Sequence, residues 1–341
     1  LTKGTHSATV SIHNDDSDEN PFLFQIRGSA GTALSQSFYP PSVGPQYGAQ
    51  LGYSVAADGN YLVAGAPYDD TGGYNLGVVK VFHAGSGQLI HVIPNPANTS
   101  NSRFGSAVSL SGSWLAVGSP RDRTGSISAG SVSIFDLASE TPTSPLFTLN
   151  SPAPESDGYF GYSVAISGSR EVVGAYREDS GATDSGTAYV FELTSATPTL
   201  PLYTLNNPEP AANDQFGNAV AISGTRVVVG AAYVYELTSE SPTIPMYTLD
   251  NIGYGFGAEF GSSVGIHGSL LVVGAQKDSR KELSAGAAFV FDLESETPLA
   301  PALTLYHSFP HNADRFGNSV AIRGTKVAVG AYQDNTYTFN A

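Results

Sequence analysis

Carboxylates recur four or five residues beyond a repeated glycine: Asp69 and Asp70, Asp122, Glu178 and Asp179, Asp278, and Asp334. Acidic side chains on a turn, helped by backbone carbonyls, make the all-oxygen shell that Ca²⁺ takes. The densest run is Glu178-Asp179-Ser180-Gly181-Ala182-Thr183-Asp184. The residues therefore place Ca²⁺ first in two loops, at Asp69 or Asp70 and at Glu178, Asp179 or Asp184. Capping of neighbouring amides, the usual work of an acidic turn, is the competing role. Zinc finds few ligands, because there is no cysteine and the seven histidines share neither ligand spacing nor a repeated position. Those histidines read as surface or turn residues. The one Gly-x-Ser-x-Gly string, Gly261-Ser262-Ser263-Val264-Gly265, lies in the strand that every unit repeats and not at a strand-to-helix elbow, and no glycine-rich phosphate loop opens a helix, so no enzyme is expected.

The elements that position these loops follow from a repeat. Leu51-Gly52, Phe104-Gly105, Phe160-Gly161, Phe216-Gly217, Phe260-Gly261 and Phe316-Gly317 are each answered, 13 residues on, by a second glycine and a small residue. The answering pairs are Gly65-Ala66, Gly118-Ser119, Gly174-Ala175, Gly230-Ala231, Gly274-Ala275 and Gly330-Ala331. The steps between successive first pairs are 53, 56, 56, 44 and 56 residues. A fixed unit is thus reused with variable loops, as in a solenoid, propeller or array.

Within a unit, Val55, Val108, Val164, Val220, Val264 and Val320 stand three residues after the first glycine. This position should face the packed side of a half-buried strand. A tight turn follows, as in Ser223-Gly224-Thr225, with glycine expected at its second central place. The second strand, such as Arg226 to Val229, is apolar on both faces. A third strand ends in an aromatic residue, and proline pairs such as Pro198 and Pro201 mark an edge connection to a short fourth strand. Four antiparallel strands in about 56 residues make one propeller blade.

The expected fold is all-β, a propeller of four-stranded antiparallel blades, six in number with seven as the alternative. A strand near residues 33 to 39 should complete the last blade beside the strand ending at Phe339, hiding two sheet edges. The fourth unit lacks twelve residues between Gly230 and Tyr233 relative to its neighbours. A loop resembling residues 175 to 186 is therefore expected between Ala231 and Ala232 in the natural protein, and a shorter one near Asn335-Thr336.

The run Phe160-Gly161-Tyr162-Ser163-Val164-Ala165-Ile166-Ser167-Gly168, continuing to Val172-Val173-Gly174-Ala175, resembles the FG-GAP repeat of integrin α-subunit heads and of bacterial secreted propellers. The resemblance covers residues 46 to 341 and implies an extracellular adhesion module with Ca²⁺ in its blade loops. Residues 31 to 341 are read as the propeller. Residues 1 to 30 resemble the last two strands of an immunoglobulin-like surface module, or a linker, and offer a route to self-association. The chain opens at Leu1 without an initiator Met, as a processed product or a piece of a longer polypeptide would.

A net charge of −15 and 15 basic residues scattered along the sequence argue against nucleic acid. No apolar run is long enough for membrane insertion as a helix. The expected partner is a protein or glycan on a cell surface or matrix. Tyrosines outside the repeat register, among them Tyr53, Tyr68, Tyr159 and Tyr162, are candidates to hold it. A structural subunit of a surface layer is the alternative, and a polysaccharide-acting enzyme with its site in the central channel is the third reading.

Overall fold

A computed structural model describes residues 6–12, 22–28, 48–230, 233–249 and 257–334. Strands β1 (His6–Ile12) and β2 (Phe22–Gly28) form a two-stranded antiparallel sheet, as expected for the N-terminal segment. Blade one holds β3 (Ser54–Asp58), β4 (Tyr61–Ala66), β5 (Val78–His83) and β6 (Leu89–Pro94). Blade two holds β7 (Ala107–Ser111), β8 (Trp114–Ser119), β9 (Ser131–Asp136) and β10 (Phe147–Asn150). Blade three holds β11 (Ser163–Ser167), β12 (Arg170–Ala175), β13 (Thr187–Glu192) and β14 (Tyr203–Asn206). Blade four holds β15 (Val220–Ser223), β16 (Arg226–Val229), β17 (Tyr233–Glu236) and β18 (Tyr247–Thr248). Blade five holds β19 (Phe260–His267), β20 (Leu270–Ala275), β21 (Ala287–Asp292) and β22 (Leu303–Leu305). Blade six is described through β23 (Ser319–Arg323) and β24 (Lys326–Gly330).

Each blade is an antiparallel meander, and successive first strands β3, β7, β11, β15, β19 and β23 lie against one another. The chain is thus a six-bladed β-propeller rather than a seven-bladed one. Its closing strand near 33 to 39, the strand ending at Phe339, and the junctions Ala231-Ala232 and Asn335-Thr336 lie outside the described residues. On either side of the first junction, Val229 still pairs with Tyr233, as Val173 pairs with Tyr189 in blade three.

The constant offset of 13 is a hairpin dimension. In blades one, two, three and six the amide of the first glycine donates to the carbonyl of its answering glycine: Gly52 to Gly65 at 2.8 Å, Gly105 to Gly118 at 3.0 Å, Gly161 to Gly174 at 3.0 Å and Gly317 to Gly330 at 2.9 Å. Between blades the two glycines meet again. A Cβ on Gly65, Gly118, Gly174 or Gly274 would lie 1.9–2.1 Å from the carbonyl oxygen of the next blade's first glycine. Blade packing therefore needs a bare backbone at this point. Two answering glycines differ: Gly230 has Gly261 O at 3.4 Å, in the blade whose loop is short, and a Cβ on Gly330 would meet only Ser319 of its own blade.

The phenylalanine of the motif fills the wedge. Phe104 meets Phe135, Phe160 meets Phe191, Phe216 meets Tyr235 and Phe260 meets Phe291, with centroids 6.1–6.5 Å apart and planes 71–88° apart. This edge-to-face geometry suits the aromatic quadrupole. The core is accordingly layered between blades: Ala116, Val132 and Leu149 of blade two pack with Phe160, Val173 and Phe191 of blade three.

Two expectations need correction. The hairpin glycine sits at the first central place, not the second: Gly59, Gly112, Gly168, Gly224, Gly268 and Gly324 have φ between 55° and 62°, while the residue after each does not have positive φ. Ser223 pairs with Arg226, so only Gly224 and Thr225 turn the chain, in the type II′ manner. Val108 and Val220 are buried and Val164, Val264 and Val320 pack against the core, but Val55 is 49 % exposed beside the seam between the first and last blades.

The hairpin turns also link the ring. Ser111 Oγ accepts from Gly168 N–H, Ser167 Oγ from Gly224 and Ser223 Oγ from Gly268, at 3.0–3.1 Å. Asp58 plays the same part toward Gly112 at 2.8 Å. Blade six returns to blade one through Arg323, which pairs with Asp58.

Candidate functional site

The acidic loops are built as turns. Asp69 is buried and its Oδ1 accepts from Thr71 N–H at 2.8 Å, while Asp70 Oδ1 accepts from Asn75 N–H at 2.6 Å. Asp122 likewise holds Thr124 and Ser131. In the third loop, Glu178 is buried, with Oε1 accepting from Ser151 Oγ at 2.5 Å and Oε2 from the Tyr189 hydroxyl at 2.6 Å. Desolvation pushes its pKa up to about 7, against the pull of those hydroxyls. Asp179 Oδ1 accepts from Asp184 N–H at 2.8 Å, and Asp184 pairs with Arg177 at 3.1 Å. A carboxyl that favours its proton and another already neutralised by arginine are poor calcium ligands. The five sequence-predicted residues thus divide: Asp69 and Asp70 keep an acidic turn, whereas Glu178, Asp179 and Asp184 are turned to contacts within the protein.

Among the described residues, one group of metal-ligand types does gather, and sequence reasoning missed it. Ligand atoms of His307, Asp314 and Asp334 lie within 4.8 Å of one another. His307 Nε2 is 3.3 Å from Asp334, while Nδ1 is 3.7 Å from Asp314 and 2.9 Å from the Phe309 carbonyl. The two carboxylates lie beside opposite ring nitrogens, so the imidazole stands between them rather than sharing one ion with both. No histidine recurs at this position, so nothing periodic pointed to it.

A pocket of about 370 Å³ opens across the first three blades, at the end of the ring where the Phe-Gly corners lie. Tyr53, Arg103, Arg121, Tyr159, Tyr162 and Tyr176 line it, with Arg177, Ser106 and Pro120. These residues come from two repeated places, the corner around Phe-Gly and the three residues after the answering glycine. The corner residue before the motif has positive φ in every blade: Gln50 (52°), Arg103 (57°), Tyr159 (54°), Gln215 (56°), Glu259 (53°) and Arg315 (59°). In each case its carbonyl accepts from the amide three residues on, as between Arg103 and Ser106 at 3.1 Å. The turn imposes the backbone and leaves the side chain free to differ.

Ring contacts organise the pocket. Tyr159 stacks on Tyr176 at 5.7 Å and 12°, and Tyr162 leans on Tyr176 at 4.3 Å. The Arg103 guanidinium lies 4.7 Å over the Tyr68 ring, and Arg121 and Arg177 lie 5.9 and 5.7 Å from Tyr159. Arg177 is paired with Asp184, whereas Arg103 and Arg121 have no carboxylate partner among the described residues, and Arg103 Nε is buried without an acceptor. Burial pushes the Tyr53, Tyr162 and Tyr176 phenols above their ordinary range, which keeps them neutral donors. Tyr53 and Tyr162 still present much of their rings to solvent.

Blades five and six fill the equivalent places differently. Gln276 donates to Glu259 at 2.7 Å, Asn318 donates to Gln276 at 2.8 Å, and Lys277 pairs with Glu259. That network satisfies itself, so the functional end is asymmetric. Tyr53, Tyr68, Tyr159 and Tyr162 stood out in the sequence, but the arginines did not. The basic residues read as scattered are gathered here in part, and aligning the repeats shows the signal: Arg121, Arg177, Tyr68 and Lys277 all stand third after the answering glycine.

Among the described residues, no helix is long and apolar enough to cross a membrane. No curated protein matches the chain closely enough to serve as a relative. The FG-GAP repeat model matches residues 45–82, 97–135, 153–191, 204–242, 254–291 and 310–340, one match per blade. Repeats of this kind are typical of extracellular adhesion and recognition propellers and are generally without enzymatic activity. With the motif, its glycine contacts and its six blades in agreement, the chain belongs to the FG-GAP repeat family.

Proposed function

We propose that this propeller is a non-catalytic extracellular recognition module that binds a protein or glycan partner through the loop-bearing end of blades one to three. The supporting observation is the tyrosine and arginine pocket, whose lining combines exposed aromatic faces with guanidiniums that lack internal partners. Its lining contains no carboxylate or imidazole to act as general acid or base. Probing glycan and matrix-protein arrays with the full chain, with and without Ca²⁺, tests the reading. Specific binding abolished by Tyr162→Ala supports it, and absence of binding on every array overturns it.

Ca²⁺ enters this reading through the first loop, where Asp69 and Asp70 stand together, ahead of the loop of Glu178, Asp179 and Asp184. Calorimetry at millimolar Ca²⁺ decides the point, with loss of the heat in Asp70→Asn as the expected result. The sheet of β1 and β2 favours a second reading, a subunit of a surface assembly. Two strands are marginal alone and complete themselves by pairing with another sheet. Sedimentation of the full chain over a concentration series checks it: a monomer throughout removes self-association.

A further inference from the structure

Building on the recognition reading above, we propose that the pocket across blades one to three binds a sugar carrying a carboxylate or sulfate group. The anion lies against Arg103 and Arg121, and the sugar ring lies on the open faces of Tyr162 and Tyr53.

The charge pattern points to an anion. In a chain of 30 acidic and 15 basic residues, carboxylates are in excess, and Arg170, Arg177, Arg226, Arg280 and Arg323 each hold one. Arg103 and Arg121 line one pocket, and neither meets a carboxylate among the described residues. The buried Arg103 Nε without an acceptor is a donor withdrawn from water, which a bound oxyanion would satisfy. Each guanidinium also lies over a tyrosine ring, Arg103 at 4.7 Å from the Tyr68 centroid and Arg121 at 5.9 Å from that of Tyr159. A guanidinium presents its donors as a planar fork, which matches the paired oxygens of a carboxylate or sulfate.

The surroundings favour a sugar over a peptide. Extended peptides take their affinity from an unpaired strand edge. At this pocket the strand ends are closed by the Gly52 to Gly65, Gly105 to Gly118 and Gly161 to Gly174 hydrogen bonds, so no edge is offered. A cavity of about 370 Å³ is at the small-ligand end of the usual range, enough for one or two sugar rings. Tyr53, 53 % exposed, and Tyr162, 42 % exposed, supply flat apolar faces, while their neutral hydroxyls remain donors.

Titration calorimetry of the full chain with three probes of equal length tests the proposal: cellotetraose, tetragalacturonate and a heparin tetrasaccharide. At least one acidic probe should bind, at least about tenfold more tightly than the neutral one, and should weaken as salt rises. Preference between the two acidic probes tells carboxylate from sulfate. Arg121→Gln and Arg103→Gln should each weaken binding about tenfold or more, with melting temperature checking the fold. Arg121→Lys should recover only part of the loss, and Lys277→Gln, in the network of blades five and six, should change nothing. Equal binding of the neutral probe, or acidic binding indifferent to both arginines, overturns the proposal. Hexaglutamate binding as tightly as the sugars overturns it in favour of an acidic peptide. If array partners still bind after both arginines are replaced, the recognition reading survives and this site assignment falls; if nothing binds at all, both fall.

Discussion

Arg323 Nη1 of blade six lies 3.0 Å from Asp58 Oδ1 of blade one, joining the last described strand pair to the first blade. Asp58 Oδ2 at the same time accepts from Gly112 of blade two. Chiefly through that backbone amide, with Arg323 assisting, the Asp58 carboxyl is held below its ordinary pKa. Arg323 is largely exposed, so a double-mutant cycle between Arg323→Ala and Asp58→Ala should give a coupling below about 1 kcal/mol. Asp58→Ala alone should cost more than Arg323→Ala, because it also strips a turn amide of its acceptor. Equal costs in chemical denaturation would show that the Gly112 contact contributes nothing.

The glycine contact between blades predicts opposite outcomes at equivalent positions. In Gly174→Ala the new Cβ meets Gly217 O at 1.9 Å, and backbone has nowhere to go. In Gly230→Ala the nearest backbone atom is 3.4 Å away, and the closer Asn218 Oδ1 is the end of a side chain. The first should lose roughly 3 kcal/mol or more, or fail to fold, and the second about 1 kcal/mol or less. Similar melting temperatures for the two variants would refute the contact's importance.

Glu178 makes stability depend on pH. Its folded pKa of about 7 is above the ordinary 4.5, so the folded chain holds an extra proton between those values. The contribution is complete below about pH 4.5 and is lost as pH rises through about 7. Relative to wild type, Glu178→Gln should gain stability across that window, reaching on the order of 3 kcal/mol above it. Denaturant midpoints measured from pH 4 to 8 check this, and parallel curves would sink it.

Glu171 is fully buried on β12, and neither carboxyl oxygen has a partner among the described residues. Desolvation raises its pKa well above the ordinary value. Leu62, Leu115, Val227, Leu271 and Val327 hold the same position in the other blades. Glu171→Leu should therefore stabilise the chain at pH 7 by roughly 1–3 kcal/mol. The gain should shrink as pH falls, and level off below 4.5, where the wild-type carboxyl is protonated in both states. A destabilised variant at pH 7 would show that Glu171 is held by something other than packing.

Fold and site were unequally legible in the sequence. Phe160-Gly161 and Gly174-Ala175 announced a blade because their spacing is set by one hydrogen-bonded hairpin, a local constraint that survives every change of loop. Blade number followed from counting the repeats. The pocket was half visible: Tyr53 and Tyr162 broke the register, but Arg103 and Arg121 come from different places in the second repeat and approach only when its β7–β8 hairpin closes, with Arg121 N–H donating to the Ser102 carbonyl. The role of Glu178 was hidden because its partner Ser151 belongs to the preceding blade.

The positive-φ corner before each Phe-Gly has a consequence for descent. A non-glycine residue there costs roughly 1 kcal/mol, and the cost is the same whether it is Gln50, Arg103, Tyr159 or Glu259, because the turn and not the side chain sets the angle. Six seats of similar strain and differing chemistry recur around the ring. A lineage carrying this ring can exchange the occupants one at a time, altering what is read while the glycines and phenylalanines that join the blades stay untouched.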